Sequence, residues 1–267
     1  MTAIDLRAYA ERIEYKGDFA PTLDTLRAVH LAHATHIPFE NLDILLGRPI
    51  RLDLESITAK LIHGRRGGYC FEQNALLAAV LETAGFRVKR LAARVRMGAT
   101  EVRPRSHMLL LVEAEDERSW LADVGFGGEG LLLPVALKPG QAERHFDWQY
   151  RVVMNDGLYV LQSLRPEGWF DLYCFTLEEQ YPVDYEVSNY FTSTFPHSPF
   201  VTRLVVQRPG ENVRLTLINR QLTEQRPNGS SETTLEDDDA LLETLEERFG
   251  LRFPSGTRFP YREVPPR

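Results

Sequence analysis

The apolar residues of this chain change period at Gly85, and that change limits the fold more than any other feature. Up to it, the segments 4–14 (IDLRAYAERIE), 22–35 (TLDTLRAVHLAHAT), 55–63 (ESITAKLIH) and 70–84 (CFEQNALLAAVLETA) carry apolar residues three and four apart. That spacing puts them on one face of an α-helix, so the first third is predicted to be a set of amphipathic helices. Gly85 is suited to stop the last of them, because glycine enters the left-handed conformation past a helix end without steric cost. Beyond it Leu91, Ala93, Val95 and Met97 alternate with Arg90, Ala92, Arg94 and Arg96. A period of two is that of a half-buried strand.

Further strands are predicted over 106–114, 119–126, 149–155, 158–164 and 169–175. Asn155, Asp156 and Gly157 lie between two of them and tolerate the positive φ angles of a tight hairpin. The centre of the chain therefore reads as an antiparallel sheet or barrel. From residue 176 the pattern mixes. TLEEQYPVDYEVSNYFTS reads as a helix or helical turns interrupted by Pro182, FVTRLVVQ and ENVRLTLIN as strands, and RPNGSSETT as a surface loop. TTLEDDDALLETLEERFG closes the pattern as a helix whose acidic first turn suits its dipole and which Gly250 can stop.

Composition narrows the function classes. With 267 residues, 43% hydrophobic and 26% charged, the chain is an ordinary globular protein of one or two domains. Its net charge of -7 argues against binding nucleic acid through overall charge. The first residues are charged and amphipathic, and no apolar run is long enough to span a membrane, so a cytoplasmic location without membrane partners is expected. Two cysteines, Cys70 and Cys174, are too few for a disulfide framework and are expected as free thiols. No phosphate loop, dinucleotide fingerprint or zinc pattern occurs, and no metal is expected.

Cys70 sits in R-R-G-G-Y-C-F-E-Q-N, after a glycine pair and at the start of a predicted helix. Gly67 and Gly68 permit a tight turn and close backbone approach, and the free N–H groups of the helix would face the thiol. At such a helix end a thiol can ionise below its ordinary pKa, and the same N–H groups can stabilise an oxyanion. A buried structural cysteine is the competing reading.

A nucleophilic cysteine needs a base within hydrogen-bond reach and an acceptor that orients the base. His107 opens the strand SHMLLLV on the side of Leu109 and Leu111, and Asp123 ends the strand WLADV before the turn GFGG. Both lie in apolar runs where an unpaired charge is costly. Taken singly, each also fits a strand-end histidine or a turn-capping aspartate. His30, His33 and His36 recur every three residues without an acidic or cysteine partner, which suits a solvated or partly buried helix face better than a metal site. The direction of His63 is open, and Cys174 reads as a core residue.

PFENLDILLGRPI (38–50), RRGGYCFEQN (65–74), RSHMLLLV (105–112) and LADVGFGG (121–128) occur in this order. Together they resemble the arylamine N-acetyltransferases, and the resemblance runs from ERIEY to SNYFTSTFPHSPFV. It implies a catalytic triad of Cys70, His107 and Asp123. It also implies an α+β fold with a cysteine-protease-like catalytic core. An N-terminal helical bundle (1–85) would carry the nucleophile, a central antiparallel β-barrel (86–185) the histidine and aspartate, and residues 186–267 an interdomain segment and an α/β lid. Arg12, Glu40 and Arg66 map onto structural charges of the family, with a Glu40–Arg66 ion pair fixing the loop before Cys70. Phe39, Phe126 and Phe200 match aromatics near the acceptor or donor pocket, and Gly125, Gly127 and Gly128 would let backbone approach the pantetheine or pyrophosphate of acetyl-CoA. Acetyl-CoA is thus the expected acyl donor and an arylamine or hydrazine the expected acceptor, through an acetyl-cysteine in a ping-pong cycle. A papain- or transglutaminase-like hydrolase uses the same residues in the same chain order, though papain's local signature around its cysteine is not found here. A non-catalytic binding module on the same fold is the third reading.

Overall fold

The computed structural model describes residues 4–115 and 118–261. Five helices precede the main sheet: α1 (Leu6–Ile13), α2 (Leu23–His36), α3 (Leu42–Leu45), α4 (Leu54–Thr58, continuing as a π-helical turn over Ala59–His63) and α5 (Cys70–Thr83). A two-residue strand, β1 (Phe39–Glu40), separates α2 from α3. Asp5, Thr22 and Asp53 cap α1, α2 and α4 by accepting backbone N–H bonds. Gly85 follows α5 with φ +91°.

An eight-stranded antiparallel sheet follows, built from β2 (Arg87–Val95), β3 (Arg105–Glu113), β4 (Ser119–Ala122), β5 (Val135–Ala136), β6 (Ala142–His145), β7 (Trp148–Asn155), β8 (Leu158–Arg165) and β9 (Gly168–Phe175). Its order is β5-β4-β3-β2-β9-β8-β7-β6. β5 returns against β7, so the sheet curls almost into a closed barrel. The predicted hairpin joins β7 to β8, with Asn155 opposite Leu158 and positive φ at Asp156 and Gly157. β3 is covered on both faces. Met108, Leu110 and Val112 pack into the core shared with the helices, and Leu109, on the side of His107, packs into the barrel interior. Burial on both sides is why this strand reads MLLLV without alternation.

The remaining elements are α6 (Pro182–Thr194), α7 (Pro199–Thr202), β10 (Val205–Arg208), β11 (Arg214–Ile218), β12 (Gln221–Arg226), β13 (Gly229–Thr234) and α8 (Asp238–Phe249). A second antiparallel sheet has the order β1-β10-β11-β12-β13. With α8 it packs a core of its own, through Leu204, Val206, Leu215 and Leu217 on one side and Leu241 and Leu245 on the other.

Three expectations change in this region. Pro182 does not interrupt a helix but opens one: it occupies the first turn of α6, where its missing N–H has no helical partner to lose. The segment FVTRLVVQ divides into α7 and β10. RPNGSSETT is not a loop, because Gly229–Thr234 pairs along β12 as an edge strand. All six of its residues are exposed, so it carries no apolar alternation to betray it.

Candidate active site

The glycine pair before Cys70 answers to backbone contact. Glu40 donates its N–H to the Gly68 carbonyl at 3.1 Å, and Gly68 donates to the Pro38 carbonyl at 3.3 Å. A Cβ on Gly67 would overlap the Pro38 carbonyl oxygen. The loop is therefore laid directly on segment 38–40, which only residues without side chains permit. Arg66 donates to Glu40 Oε1 from Nη2 at 2.6 Å and from Nε at 3.0 Å, and Arg12 donates to the carbonyls of Leu61, His36 and Arg66. These are the three charges that the resemblance singled out, and all of them hold the loop that leads into α5.

At the end of that loop Cys70 begins α5, with Sγ 3.7 Å from the Ser106 carbonyl oxygen of β3. His107, one residue on, shares a 2.7 Å contact between its Nε2 and Asp123 Oδ2. That leaves Nδ1 as the ring nitrogen free for the sulfur, and Cys70 lies close enough to raise the pKa of the imidazole. The three residues are 5%, 3% and 0% exposed, so the group lies in a largely dry environment between helices and barrel. Burial disfavours the imidazolium of His107, but the Asp123 carboxylate and Cys70 outweigh it and raise the pKa to about 10. Burial alone would likewise push the Asp123 carboxyl up; the His107 charge and hydrogen bonds from His107, Asn74 and Gly125 hold it below the usual carboxylate range.

Asp123 is fixed from several sides. Asn74 Nδ2 donates to its Oδ1 at 2.9 Å and to the Met108 carbonyl at 2.7 Å, while Asn74 Oδ1 accepts from Val124 N–H. Gly125 N–H also donates to Asp123 Oδ1, at 3.0 Å. A Cβ on Gly125 would lie 2.7 Å from both Asn74 Nδ2 and Cys70 Cα, so this glycine permits the loop after β4 to touch the start of α5. A Cβ on Gly127 would overlap Gln207 Oε1, and one on Gly128 would lie 2.8 Å from Thr216 Oγ1, both from the second sheet.

The aromatic candidates fall into two groups, one on His107 and one beside Tyr69. The Phe126 ring meets His107 edge-on at 5.2 Å, and Phe39 and Phe200 lie 5.7 Å apart, with Phe200 6.0 Å from Tyr69. Tyr173, which no sequence argument marked, lies 5.0 Å from the His107 ring and 5.2 Å from Phe126. Two histidines read as a solvated or partly buried helix face are instead fully buried. His30 Nε2 accepts from Asp123 N–H at 3.0 Å while its Nδ1 donates to the Leu132 carbonyl, and His33 bridges Tyr9 to Gln73. Burial lowers their pKa values to about 4 and about 3. Their three-residue recurrence was the available signal, and it marked one buried helix face. His63 is exposed, and Cys174 is a buried free thiol. Among the described residues no group of His, Cys, Asp and Glu is arranged to hold a metal, and no helix is long and apolar enough to cross a membrane.

Comparison with known proteins gives this geometry a family. The family model described as N-acetyltransferase matches residues 22–257. The arylamine N-acetyltransferase of Escherichia coli K12 is 41% identical over 254 residues, covering 94% of this chain and 90% of the relative. The crystal structure of the Nocardia farcinica arylamine N-acetyltransferase superposes with a TM-score of 0.88 at 44% identity, covering 94% of this chain and 90% of that one. The Mycobacterium marinum enzyme in complex with CoA superposes with a TM-score of 0.88 at 38% identity, covering 92% of each chain. The chain belongs to the arylamine N-acetyltransferase family.

Proposed function

We propose that the chain transfers an acetyl group from acetyl-CoA to the nitrogen of an arylamine or arylhydrazine, in two stages through an acetyl group held on Cys70. The observation that carries this reading is the His107–Asp123 pair with Cys70 beside it, its Sγ on the carbonyl of the neighbouring Ser106, all buried between α5, β3 and the loop after β4. In the first stage Cys70 Sγ, its proton already on His107, attacks the thioester carbonyl carbon of acetyl-CoA. The bond from that carbon to the CoA sulfur breaks, and the CoA thiolate takes the proton from His107. In the second stage the amine nitrogen attacks the acetyl-Cys70 carbonyl, His107 takes up the amine proton, and the carbon–Sγ bond breaks to restore the thiolate. Asp123 holds the imidazole by Nε2 so that Nδ1 faces the sulfur throughout. Backbone N–H groups at the start of α5 stabilise each tetrahedral oxyanion.

Burial supports transfer over hydrolysis, since a thioester in a site this dry meets little water. Phe126, Phe39 and Phe200 would border the acceptor. The donor's pantetheine arm would follow the backbone of Gly125, Gly127 and Gly128, a stretch poor in side chains beside the start of α5; the M. marinum relative's complex with CoA supports a CoA donor. In this reading residues 1–85 carry the nucleophile, 86–185 its base and carboxylate, and 186–267 a lid. Two free cysteines favour a reducing, cytoplasmic setting. Initial rates measured against both substrates test the scheme. Parallel double-reciprocal lines are expected; intersecting lines, with acetylation surviving in Cys70→Ala, would overturn it.

A further inference from the structure

An ammonium group reaches the start of α5 from the element before it. Lys60 lies in the π-helical turn Ala59–His63, a wide turn that is rare and frequent at functional sites. Its backbone is pinned: the Lys60 carbonyl accepts the Arg66 N–H at 3.1 Å, and a Cβ on Gly64 would lie 2.8 Å from the same oxygen. Its Nζ lies 2.8 Å from Glu72 Oε1 and 3.0 Å from Asp43 Oδ2. Glu72 belongs to the first turn of α5, two residues after Cys70. Its other oxygen, Oε2, accepts the Tyr69 N–H at 3.1 Å and rests against Gly68, where a Cβ would come within 2.8 Å of it. A run of charges thus leads from Glu40 through Arg66, Asp43 and Lys60 to Glu72 and the peptide directly before the nucleophile.

The Lys60 and Glu72 side chains are only 15% and 2% exposed, so the pair carries a desolvation cost. Burial disfavours the ammonium, but Glu40, Glu72 and Asp43 outweigh it and raise the Lys60 pKa above its ordinary value. Burial also pushes the Glu72 carboxyl up, against the pull of Lys60. Apolar side chains of similar volume often stabilise a fold as well as a buried ion pair does. What they cannot do is accept the Tyr69 N–H and hold it in one place. We infer that Lys60 and Glu72 are positioning residues for Cys70: the ammonium fixes the carboxylate, and the carboxylate fixes the peptide from which α5 and its nucleophile start. The inference rests on the reading of Cys70 as the acetyl carrier, and alkylation of the thiol tests it without acetyl-CoA.

Two rates are read on the full chain beside a thermal melt. One is single-turnover acetylation of Cys70 by acetyl-CoA, the other alkylation of Cys70 by iodoacetamide, which reports how well the start of α5 and His107 hold the thiolate; both are located by peptide mapping. Lys60→Met should lower both rates about tenfold and depress the melting temperature, because Glu72 stays buried without its partner. Lys60→Met/Glu72→Met removes both charges at similar volume. It should recover the melting temperature while both rates stay about tenfold below those of the unaltered chain, a separation that a merely structural pair would not show. The inference is overturned if both rates in the double variant return to within about twofold of the unaltered chain, or if they simply follow the melting temperature through the two variants. An unaltered chain that takes up no acetyl group, while Cys70 alkylation still falls in both variants, would sink the acetyl-transfer reading and leave the positioning role standing.

Discussion

Adding one methyl group at Gly125 tests whether this residue sets the distance between the nucleophile and its partners. In Gly125→Ala the new Cβ would lie 2.7 Å from Cys70 Cα and from Asn74 Nδ2. Ordinary contact begins at 3.4 Å, so the loop and the start of α5 must separate by about 0.7 Å. Backbone cannot swing aside as a flexible side chain can. Overpacking of this kind costs ~1–3 kcal/mol of stability. Displacement near 1 Å at a reacting centre costs ~10²-fold in rate, so a fall of about 10- to 100-fold is expected here. The assay is single-turnover acetylation of Cys70 by acetyl-CoA, read by rapid quench and intact mass, beside a thermal melt. An unchanged rate and melting temperature with a raised KM for acetyl-CoA would refute the reasoning, since Gly125 would then serve the donor rather than the spacing.

Asp123→Asn removes the charge that sustains the His107 imidazolium, and kcat should fall ~10³–10⁴-fold; a change under tenfold in steady-state assays would count against the triad. Glu40→Ala leaves Arg66, 13% exposed at its side chain, with Asp43 at 3.3 Å as its remaining carboxylate, and strips the Leu42 N–H of its acceptor. Urea unfolding should show a loss of ~3 kcal/mol, the low end for a broken buried pair because Asp43 stays. Stability should also decline on both sides of neutrality. His30 and His33 titrate at about 4 and about 3 when folded, below the ordinary 6.5, so their contribution is full above 6.5 and is lost as pH falls toward those values. His107, raised to about 10, contributes fully below 6.5 and loses that contribution as pH rises through 10. Urea midpoints measured across this range in wild type and His107→Asn check it, and the alkaline decline should be smaller in the variant.

The helical first third and most barrel strands were legible because their apolar residues keep one period and Gly85 marks the switch, while β3 showed itself as a short apolar run. His107 and Asp123 stood out because charged groups in apolar runs need partners, and the fold supplies each to the other. The parts that escaped depend on contacts between distant segments. β13 is an exposed edge strand with no apolar alternation, β1 is two residues long, and Pro182, which the sequence read as breaking helical turns, begins α6. Tyr173 and His30 sit in ordinary apolar or helical surroundings in the sequence, and only the packing of β9 and α2 around His107 and Asp123 brings them to the site.

The most direct measurement is the intact mass of the protein after mixing with acetyl-CoA and no amine. A gain of one acetyl group, located on Cys70 by peptide mapping and absent from Cys70→Ala, is the predicted result. An unmodified protein that nonetheless acetylates arylamines, or an acetyl group on another residue, would contradict the account.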